Sequence, residues 1–433
     1  MMSDSHRPTF SPSALAVLAT DMNLLRCFSG TSIATIVTSS DPSNVLVRSR
    51  HCRRYALTAD AASLPERFIE DLVSLGRDHG ERPVLYYSGD AALLAISRHR
   101  DTLAPFFRFL MPPNELVEDL VDKTRFARLA TDLGIPVPLT VTGSDLTSAE
   151  EVLAQVSLPC LFKPSSRHLG WDRSTLLKDA GGEPQKVLIA HTAEDFVRLY
   201  ERVRQFTDRF VIQPYIHGGD DCIYSFHAYF DRHGESLAHF VGRKIRTYPR
   251  QNGVSTYLEL VKAPEIVELG LDIARRMGFV GAIKIDLKKD STSGRLFVLE
   301  VNPRYTLWNH LGTACGINLP LVAYAEQTDQ SVTRSRDYRT GIRWLSFGND
   351  FRTFLRSYRP AGELSATKWL ASLWSPKVYD IFALDDPLPF LATVWQYAKL
   401  LIATRIGRLK GAGVGRRDAV VRTHRAVAKG TSK

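Results

Sequence analysis

Two acidic residues and one amide lie in two neighbouring apolar segments of the sequence. Residues 282–288 carry Asp286, and residues 296–301 carry Glu300 and are followed by Asn302. A short loop that contains glycine separates the two segments, so we predict a β-hairpin in which Asp286 lies opposite or diagonal to Glu300. Side chains alternate between the two faces of a strand, so Glu300 and Asn302 share one face. The pattern therefore predicts two carboxylates and an amide oxygen within a few ångströms of one another.

Paired carboxylates of this kind repel each other unless a cation lies between them. Oxygen ligands suit Mg²⁺, with Mn²⁺ as the alternative, better than zinc, and Mg²⁺ usually completes its shell with water and substrate phosphates. We therefore predict a metal site formed by Asp286, Glu300 and Asn302 that acts on a nucleotide. The alternative is that both acids lie on the solvated face of an edge hairpin. The apolar flanking residues and the Asn-Pro-Arg that ends at Arg304 disfavour it.

The motif Asp286…Glu300-x-Asn302-Pro-Arg304 resembles the metal-binding end of the ATP-grasp superfamily. Segments 121–126, 158–165 and 210–221 resemble, in the required order, the entry helix, a phosphate-binding strand and the adenine hinge of that superfamily. The resemblance implies phosphate contacts from Lys123, Lys163 and Lys244, adenine contacts from Gln213, Tyr215 and Ile216, a ribose contact from Asp221, and stabilisation of an acyl phosphate by Arg304.

The activity that this resemblance implies is an ATP-dependent ligase that joins a small carboxylate, such as an amino acid, to an amine through an acyl phosphate. Segments 15–23, 88–90, 97–100 and 242–249 look like the carboligase group of the superfamily that includes D-aspartate ligase and proteins similar to carbamoyl-phosphate synthase. One departure lies in residues 165–172, where a phosphate-covering loop rich in glycine is expected and a single glycine occurs. Closure through Arg167, His168 or Arg173 is the expected substitute.

Three segments near the motif invite more detailed predictions. Substrate recognition is expected in residues 250–256 and 305–312, and His310 could serve as a base, although a structural role is the better-weighted alternative. By the period of two, Lys244 facing the site would bring Arg246 to the same face and leave Arg243 outward.

The elements that must position these residues form a mixed α/β and α+β fold. Apolar runs alternate with helical stretches over residues 1–115, which predicts a small N-terminal α/β domain with a parallel sheet. Strands and helices over 116–330 fit the ATP-grasp domain, followed by a C-terminal helical extension over 331–398 and a basic tail over 399–433.

Charge is unevenly distributed along the 433 residues, whose formal net charge is +10. Residues 399–433 hold ten basic residues and one acidic residue, so the first 398 residues contain 46 basic and 45 acidic ones and are nearly neutral. A nucleic-acid binder acting through the tail is therefore one alternative function, limited to non-specific binding. A second alternative is a non-catalytic ATP-binding module or degenerate ligase, which the presence of all four motif residues disfavours.

Location is suggested by two further patterns. Five scattered cysteines and the lack of a charged segment leading into an apolar one at the N-terminus predict a cytoplasmic protein with reduced thiols. Residues 388–433 combine an apolar, aromatic stretch with basic residues, which fits a peripheral membrane contact through an interfacial helix. A docked helix with a solvated tail is the alternative of equal weight.

Overall fold

A computed structural model describes residues 16–19, 21–79, 81–143, 148–165, 187–250, 253–332 and 334–410. The predicted phosphate-covering loop after Ser165, with Arg167, His168 and Arg173, lies outside the described residues, as does the sequence after Lys410.

The described strands form three sheets. The first sheet contains β1 (Ala16–Ala19), β2 (Thr35–Ser39), β3 (Arg54–Leu57) and β4 (Val84–Tyr87). The second contains β5 (Val141–Thr142), β6 (Cys160–Pro164), β7 (Leu188–Ala190) and β8 (Phe210–Pro214). The third contains β9 (Ile223–Phe230), β10 (Ser236–Tyr248), β11 (Val254–Leu260), β12 (Gly281–Lys289), β13 (Leu296–Asn302), β14 (Arg343–Leu345) and β15 (Lys377–Tyr379).

The described α-helices connect and cover these sheets. They are α1 (Met22–Arg26), α2 (Pro65–His79), α3 (Asp90–Arg98), α4 (Arg100–Leu103), α5 (Asn114–Val121), α6 (Lys123–Asp132), α7 (Ala149–Leu153), α8 (Ala193–Arg204), α9 (Pro264–Arg276), α10 (Trp308–Cys315), α11 (Leu319–Gln327), α12 (Phe347–Thr353), α13 (Ala366–Ser372) and α14 (Leu388–Lys410). Among the described residues, no helix combines the length and hydropathy needed to cross a membrane.

The first sheet is parallel throughout, in the order β3-β2-β1-β4, which confirms the predicted parallel sheet near the N-terminus. Every residue of β2 and β4 is buried, as expected for a parallel sheet covered on both faces. Helix α2 covers one face of this sheet with Phe68, Ile69 and Leu72. Because all four strands run in the same direction, their carboxyl ends meet at one edge of the sheet.

The seven-stranded sheet, in the order β13-β12-β9-β10-β11-β14-β15, has two different faces. One face packs an apolar core around Phe226, Ile283 and Ile285 against α9. On the other face Trp308 of α10 lies directly over Gly242, where a Cβ atom would come within 2.1 Å of the indole ring. Glycine is therefore required there for α10 to pack this closely on the sheet.

The C-terminal segment adds strands as well as helices. β14 pairs with β11, and β15 extends the sheet beyond β14, so the prediction of a helical extension over 331–398 omits these two strands. The segment is also fastened to the N-terminal part of the chain, since Arg26 donates to the carbonyl oxygen of Tyr379 at 2.9 Å. The Asp386 carboxylate accepts the Ser49 hydroxyl at 2.6 Å.

The expected side-by-side placement of Lys244 and Arg246 is wrong because β10 contains a bulge between them. The bulge breaks the period of two. The guanidinium group of Arg246 donates to both carboxylate oxygens of Asp350 at 2.7 and 2.8 Å, and both side chains are buried. Asp350 also accepts the Trp369 indole N–H at 2.9 Å. This ion pair joins the sheet to the C-terminal segment rather than to the carboxylate pair.

Replacing Asp350 with Ala should lower the free energy of unfolding by about 3–5 kcal/mol, because it leaves the buried Arg246 charge without its partner. A double replacement, Arg246→Met with Asp350→Leu, should lower it less than Asp350→Ala alone. Urea unfolding followed by circular dichroism measures both. A loss below about 1 kcal/mol for Asp350→Ala would contradict the assignment of this pair as buried and coupled.

Candidate functional site

The two carboxylates lie opposite each other across the β12–β13 hairpin. The cross-strand partner of Asp286 is Glu300, as predicted, and that of Lys284 is Asn302. The Asn302 side-chain amide donates to Glu300 Oε1 at 3.1 Å. Hydrogen bonds to Asp290 hold the loop that sets this register, since its carboxylate accepts the backbone N–H of Ser293 at 2.7 Å.

Alternation along β12 explains why a carboxylate is buried here. Ile283, Ile285 and Leu287 all enter the core on one face of the sheet. Lys284 and Asp286 must then point to the other face, and Asp286 is only 3% exposed. A buried carboxylate needs compensating donors or cations.

Cations and a hydroxyl supply that compensation. Lys284 Nζ lies 2.7 Å and Lys244 Nζ 3.9 Å from Asp286 Oδ2. The Ser225 hydroxyl donates to Asp286 Oδ1 from the neighbouring strand β9. Burial lowers the pKa of Lys284, and the negative charges of Asp286 and Glu300 partly oppose this shift. Lys244 therefore faces the acids, as predicted.

Lys284 and Ser225 are two site residues that the sequence prediction did not assign. Lys284 precedes Asp286 by two positions in one strand, which places it on the same face. That spacing was available in the sequence. Ser225 gives no comparable sequence pattern, because its proximity to Asp286 depends on the pairing of β9 with β12.

A second group of cations lies beside the carboxylates. Lys163 Nζ donates to Gln213 Oε1 at 2.9 Å, and the Gln213 amide donates to the Thr140 hydroxyl at 2.8 Å. Burial lowers the pKa of Lys163 to about 8, with Lys123 adding to the shift and Glu300 opposing it. The predicted phosphate and adenine residues of β6 and β8 are thus neighbours in one polar cluster.

A cavity connects Lys123 to the hairpin. Asp90, Lys123, Glu300 and Asn302 all line it. The backbone N–H of Lys123, the first residue of α6, donates to the carbonyl oxygen of Ser165 at 2.8 Å. The start of α6, the end of β6 and the carboxylate hairpin therefore converge.

Arg304 lies between the hairpin and the N-terminal sheet. It donates to Asn302 Oδ1 at 3.2 Å, to the carbonyl oxygen of Ser88 at 3.0 Å and to the carboxylate of Asp90. Because its guanidinium group is held from both sides, Arg304 has a fixed position beside the carboxylates.

The predicted adenine hinge forms the connection after β8. The backbone N–H of Tyr215 donates to the carbonyl oxygen of Pro159 at 2.8 Å, and Lys288 Nζ lies 4.9 Å from the Tyr215 ring centre. Ile216 is buried, whereas Asp221 is exposed. The hinge residues therefore follow Gln213 directly, and Asp221 faces solvent.

Asp220, the neighbour of Asp221, has a structural environment. It is buried and accepts the Thr247 hydroxyl at 3.0 Å as well as the Tyr358 hydroxyl. These bonds connect the hinge to β10 and the C-terminal segment, so the two adjacent aspartates differ in surroundings.

His310 Nδ1 has no hydrogen-bond partner among the described residues, so the hydrogen-bonded structural role that was the better-weighted alternative stays a prediction. Burial lowers its pKa to about 3, and its charged neighbours are Arg26 and Asp385. A residue with this pKa is a poor proton acceptor near neutral pH. Within 305–312, Trp308 and Leu311 are also buried in the core, so packing accounts for much of the segment that we expected to recognise substrate.

An Mg²⁺ ion fits the chemistry of this donor set. Asp286, Glu300 and Asn302 offer oxygen ligands from the protein, and Glu300 and Asn302 line the cavity. Among the described residues, no group of three or more His, Cys, Asp or Glu side chains could hold a metal by itself. An Mg²⁺ ion at Asp286, Glu300 and Asn302 would therefore need further oxygen atoms from water or a bound phosphate.

Comparison with known proteins finds a family match over part of the chain. Residues 235–347 match a family model described as "ATP-grasp in the biosynthetic pathway with Ter operon", a region that includes the hairpin and Arg304. The chain is 22% identical to the D-aspartate ligase of Enterococcus faecium over 58% of this chain and 61% of that protein. It is 26% identical to the C-terminal section of the carbamoyl phosphate synthase large chain of Methanopyrus kandleri over 43% of this chain and 33% of that protein. The chain thus spans less than two thirds of these curated relatives.

Solved structures show the same fold. The N5-carboxyaminoimidazole synthetase of Staphylococcus aureus complexed with ADP has a TM-score of 0.58 at 12% identity, covering 76% of this chain and 80% of that one. The biotin carboxylase domain of the Hydrogenobacter thermophilus 2-oxoglutarate carboxylase, in complex with MgADP, has a TM-score of 0.57 at 17% identity, covering 76% and 73%. Residues 235–347 therefore match an ATP-grasp family model, and the chain shares the fold of these solved structures.

Proposed function

We propose that the protein is an ATP-dependent carboxylate–amine ligase that activates a small carboxylate as an acyl phosphate. The observation that carries the proposal is the arrangement of Asp286, Glu300 and Asn302 among Lys284, Lys244, Lys163, Lys123 and Arg304. Acidic side chains that can bind a metal ion lie among basic side chains that can bind phosphate. A site of this kind suits a tetra-anionic nucleotide and a carboxylate that must approach it.

In the first step a substrate carboxylate oxygen attacks the γ-phosphorus of ATP. The bond from that phosphorus to the bridging oxygen breaks, and ADP leaves with the electron pair. In the second step the amine nitrogen attacks the acyl carbon, phosphate leaves with its electron pair, and the nitrogen loses a proton. Both steps gather negative charge on oxygen atoms, which the lysines and Arg304 would stabilise.

The proposed assignments keep the roles that the sequence resemblance implies. Lys123 and Lys163 would bind phosphate oxygens, Gln213, Tyr215 and Ile216 would bind adenine, Asp221 would bind the ribose, Lys244 would face the transferring phosphoryl group, and Arg304 would hold the acyl phosphate. When bound to Asp286, Glu300 and Asn302, Mg²⁺ supplies neutralisation of the phosphate charge.

A second cavity offers a place for the amine substrate. It lies at the carboxyl ends of the parallel strands β1 to β4, and its lining includes Asp21, Ser39, Asp60 and Ser88. None of its described lining residues is basic, which suits an ammonium or hydroxyl group better than an anion. Ser88 also binds Arg304 through its carbonyl oxygen, so this cavity adjoins the proposed acyl phosphate position.

Trapping of the acyl phosphate tests the proposal. The full chain is incubated with ATP, Mg²⁺, a panel of small carboxylic acids and hydroxylamine. We expect ADP release and a hydroxamate that depend on one class of acid. A hydroxamate is absent for an ATP-binding module without turnover. Failure across a broad panel in which a known ATP-grasp ligase gives product would overturn the ligase proposal.

Lys163 should make nucleotide binding depend on pH. Because its pKa in the folded protein is about 8, below the 10.5 of an ordinary lysine, the side chain loses its charge as pH rises through about 8. Bound phosphate favours the charged form, so ATP affinity should fall over that range. Near pH 8.5 binding should also take up roughly half a proton or more per ATP. Calorimetry in two buffers of different ionisation enthalpy measures this uptake.

The matched variant for this experiment is Lys163→Arg, which stays charged across the range. We expect it to bind ATP with little proton uptake at pH 8.5. Equal proton uptake in the variant and the original protein would assign the titration to another group.

A further inference from the structure

Lys288 is a buried basic residue on the same strand as the proposed metal ligand Asp286. The residue is only 6% exposed. Among the described residues, its ammonium group makes no hydrogen bond and no ion pair, and Nζ lies 4.9 Å from the centre of the Tyr215 ring. A buried charge is normally neutralised by a direct partner. Lys288 therefore has the environment of a residue whose partner is a ligand.

The acidic residues near Lys288 are bound to other groups. The Asp220 carboxylate accepts the Thr247 hydroxyl at 3.0 Å, and the Asp290 carboxylate accepts the backbone N–H of His217 at 2.8 Å. Burial lowers the pKa of Lys288, and nearby negative groups oppose this shift only in part. These acids therefore do not supply the partner that the ammonium group lacks.

Regular strand pairing fixes the direction in which the Lys288 side chain points. β12 pairs with β9 without interruption from Gly281 to Lys288. Lys284, Asp286 and Lys288 therefore share one face of the sheet by the period of two. Lys288 lies about 7 Å along the strand from Asp286, on the side opposite to Lys284. The two lysines thus flank the proposed metal ligand.

The end of β12 that carries Lys288 is fastened to the predicted adenine hinge. Hydrogen bonds from the hairpin loop reach both backbone groups of His217. The Asp290 carboxylate accepts its N–H, and the backbone N–H of Ser291 donates to its carbonyl oxygen at 3.1 Å. With the Tyr215 ring also beside it, Lys288 lies on the hinge side of the carboxylate pair.

We propose that the Lys288 ammonium group contacts the purine base of the bound nucleotide, an inference that rests on the nucleotide site of the proposed function. A purine has an aromatic face and acceptor nitrogen atoms at its edge, so it can serve as the partner that Lys288 lacks. A base held at the hinge would bring this ring next to the ammonium group. Lys288 would then favour a complete nucleotide over its phosphates alone.

A phosphate group is the other ligand that the Lys288 ammonium group could bind. The proposed function already gives phosphate contacts to Lys123, Lys163 and Lys244. Lys288 lies further towards the hinge than Asp286, where the base rather than the metal-bound phosphates is expected. A ligand that has phosphates but no base therefore distinguishes the two contacts.

Nucleotide binding by the full chain tests the proposal with two probes, ATP and inorganic triphosphate, each with Mg²⁺. Lys288→Met should weaken ATP binding about tenfold and change triphosphate binding by less than about twofold. Lys288→Arg should recover most of the ATP affinity, because it restores the charge. Titration calorimetry measures ATP binding, and displacement of bound ATP measures triphosphate binding.

Thermal unfolding of the ligand-free variants separates this role from a structural one. Because burial lowers the pKa of Lys288, folding disfavours its charge, and Lys288→Met should unfold at the same temperature as the original chain or higher. Lys289→Met is the matched control, since Lys289 is the exposed neighbour on the other face of β12. It should bind both probes as the original chain does.

Three results would overturn the contact between Lys288 and the base. They are ATP binding by Lys288→Met within about twofold of the original chain, an equal loss of ATP and triphosphate binding, and a failure of Lys288→Arg to recover ATP binding. If the original chain binds ATP and forms the hydroxamate, these results leave the proposed function intact. An original chain that binds neither probe would overturn the proposed function as well.

Discussion

Replacing Asp286 with Asn should lower the rate of ATP-dependent product formation by about 10³-fold or more. The carboxylate lies opposite Glu300, and its charge is needed for the pair to hold a divalent cation. Asn keeps the size of the side chain and can still accept the Ser225 hydroxyl, so the hairpin should fold. The loss should therefore appear in the chemistry and in the Mg²⁺ requirement rather than in folding.

The rate of ADP release at saturating ATP, followed over a range of Mg²⁺ concentrations, measures this effect. Asp272→Asn is a suitable control, because Asp272 is an aspartate of α9 whose carboxylate pairs with Arg275 and Arg276 on the protein surface. Its activity should match that of the original chain. If Asp286→Asn keeps its rate within tenfold while thermal unfolding is unchanged, Asp286 does not belong to the metal site.

The carboxylate hairpin could be predicted from sequence because its information is local. The alternation of Ile283, Ile285 and Leu287 with polar residues fixes the face on which Asp286 lies. The short loop between the strands then brings Glu300 opposite it, within 14 positions of chain. The alternation of apolar and polar residues and the short loop between the strands were therefore enough to predict this part of the site.

Contacts between distant segments could not be predicted in the same way. The bulge in β10 turns Arg246 away from Lys244, and its partner Asp350 lies 104 positions further along the chain. The strands β14 and β15 have three residues each, too few to show a period. In these cases the fold depends on pairings that no short stretch of sequence contains.

The residues proposed to bind the nucleotide combine a feature that the sequence predicts with a contact that it does not. Lys163 and Gln213 were assigned to different parts of ATP from separate segments, and the antiparallel pairing of β6 with β8 places them in direct hydrogen-bond contact. Their order along the sequence was informative, but their contact was not. Burial and the charge of Lys123 lower the pKa of Lys163, and the pH prediction rests on that shift.

Replacing Lys284 with Met should lower kcat by about 10²-fold. The Lys284 ammonium group is held 2.7 Å from Asp286 Oδ2 and lies across from Asn302, so it is fixed beside the proposed reaction centre. A preformed positive charge stabilises the negative charge that develops on phosphoryl and acyl oxygens, and Met keeps the length of the side chain without that charge. Lys284→Arg should recover part of the rate.

The Mg²⁺ dependence of Lys284→Met separates this role from a structural one. An ammonium group beside the carboxylate pair repels a divalent cation, so its removal should lower the Mg²⁺ concentration needed for half-maximal activity by several-fold. A purely structural defect would weaken metal binding and turnover together, whereas loss of a catalytic cation weakens turnover and strengthens metal binding. Lys289→Met, at the exposed end of β12, should change neither quantity. Slower turnover together with a lower Mg²⁺ requirement would mean that Lys284 repels the metal in the resting site. During the reaction, Lys284 would stabilise the same negative charge as the metal.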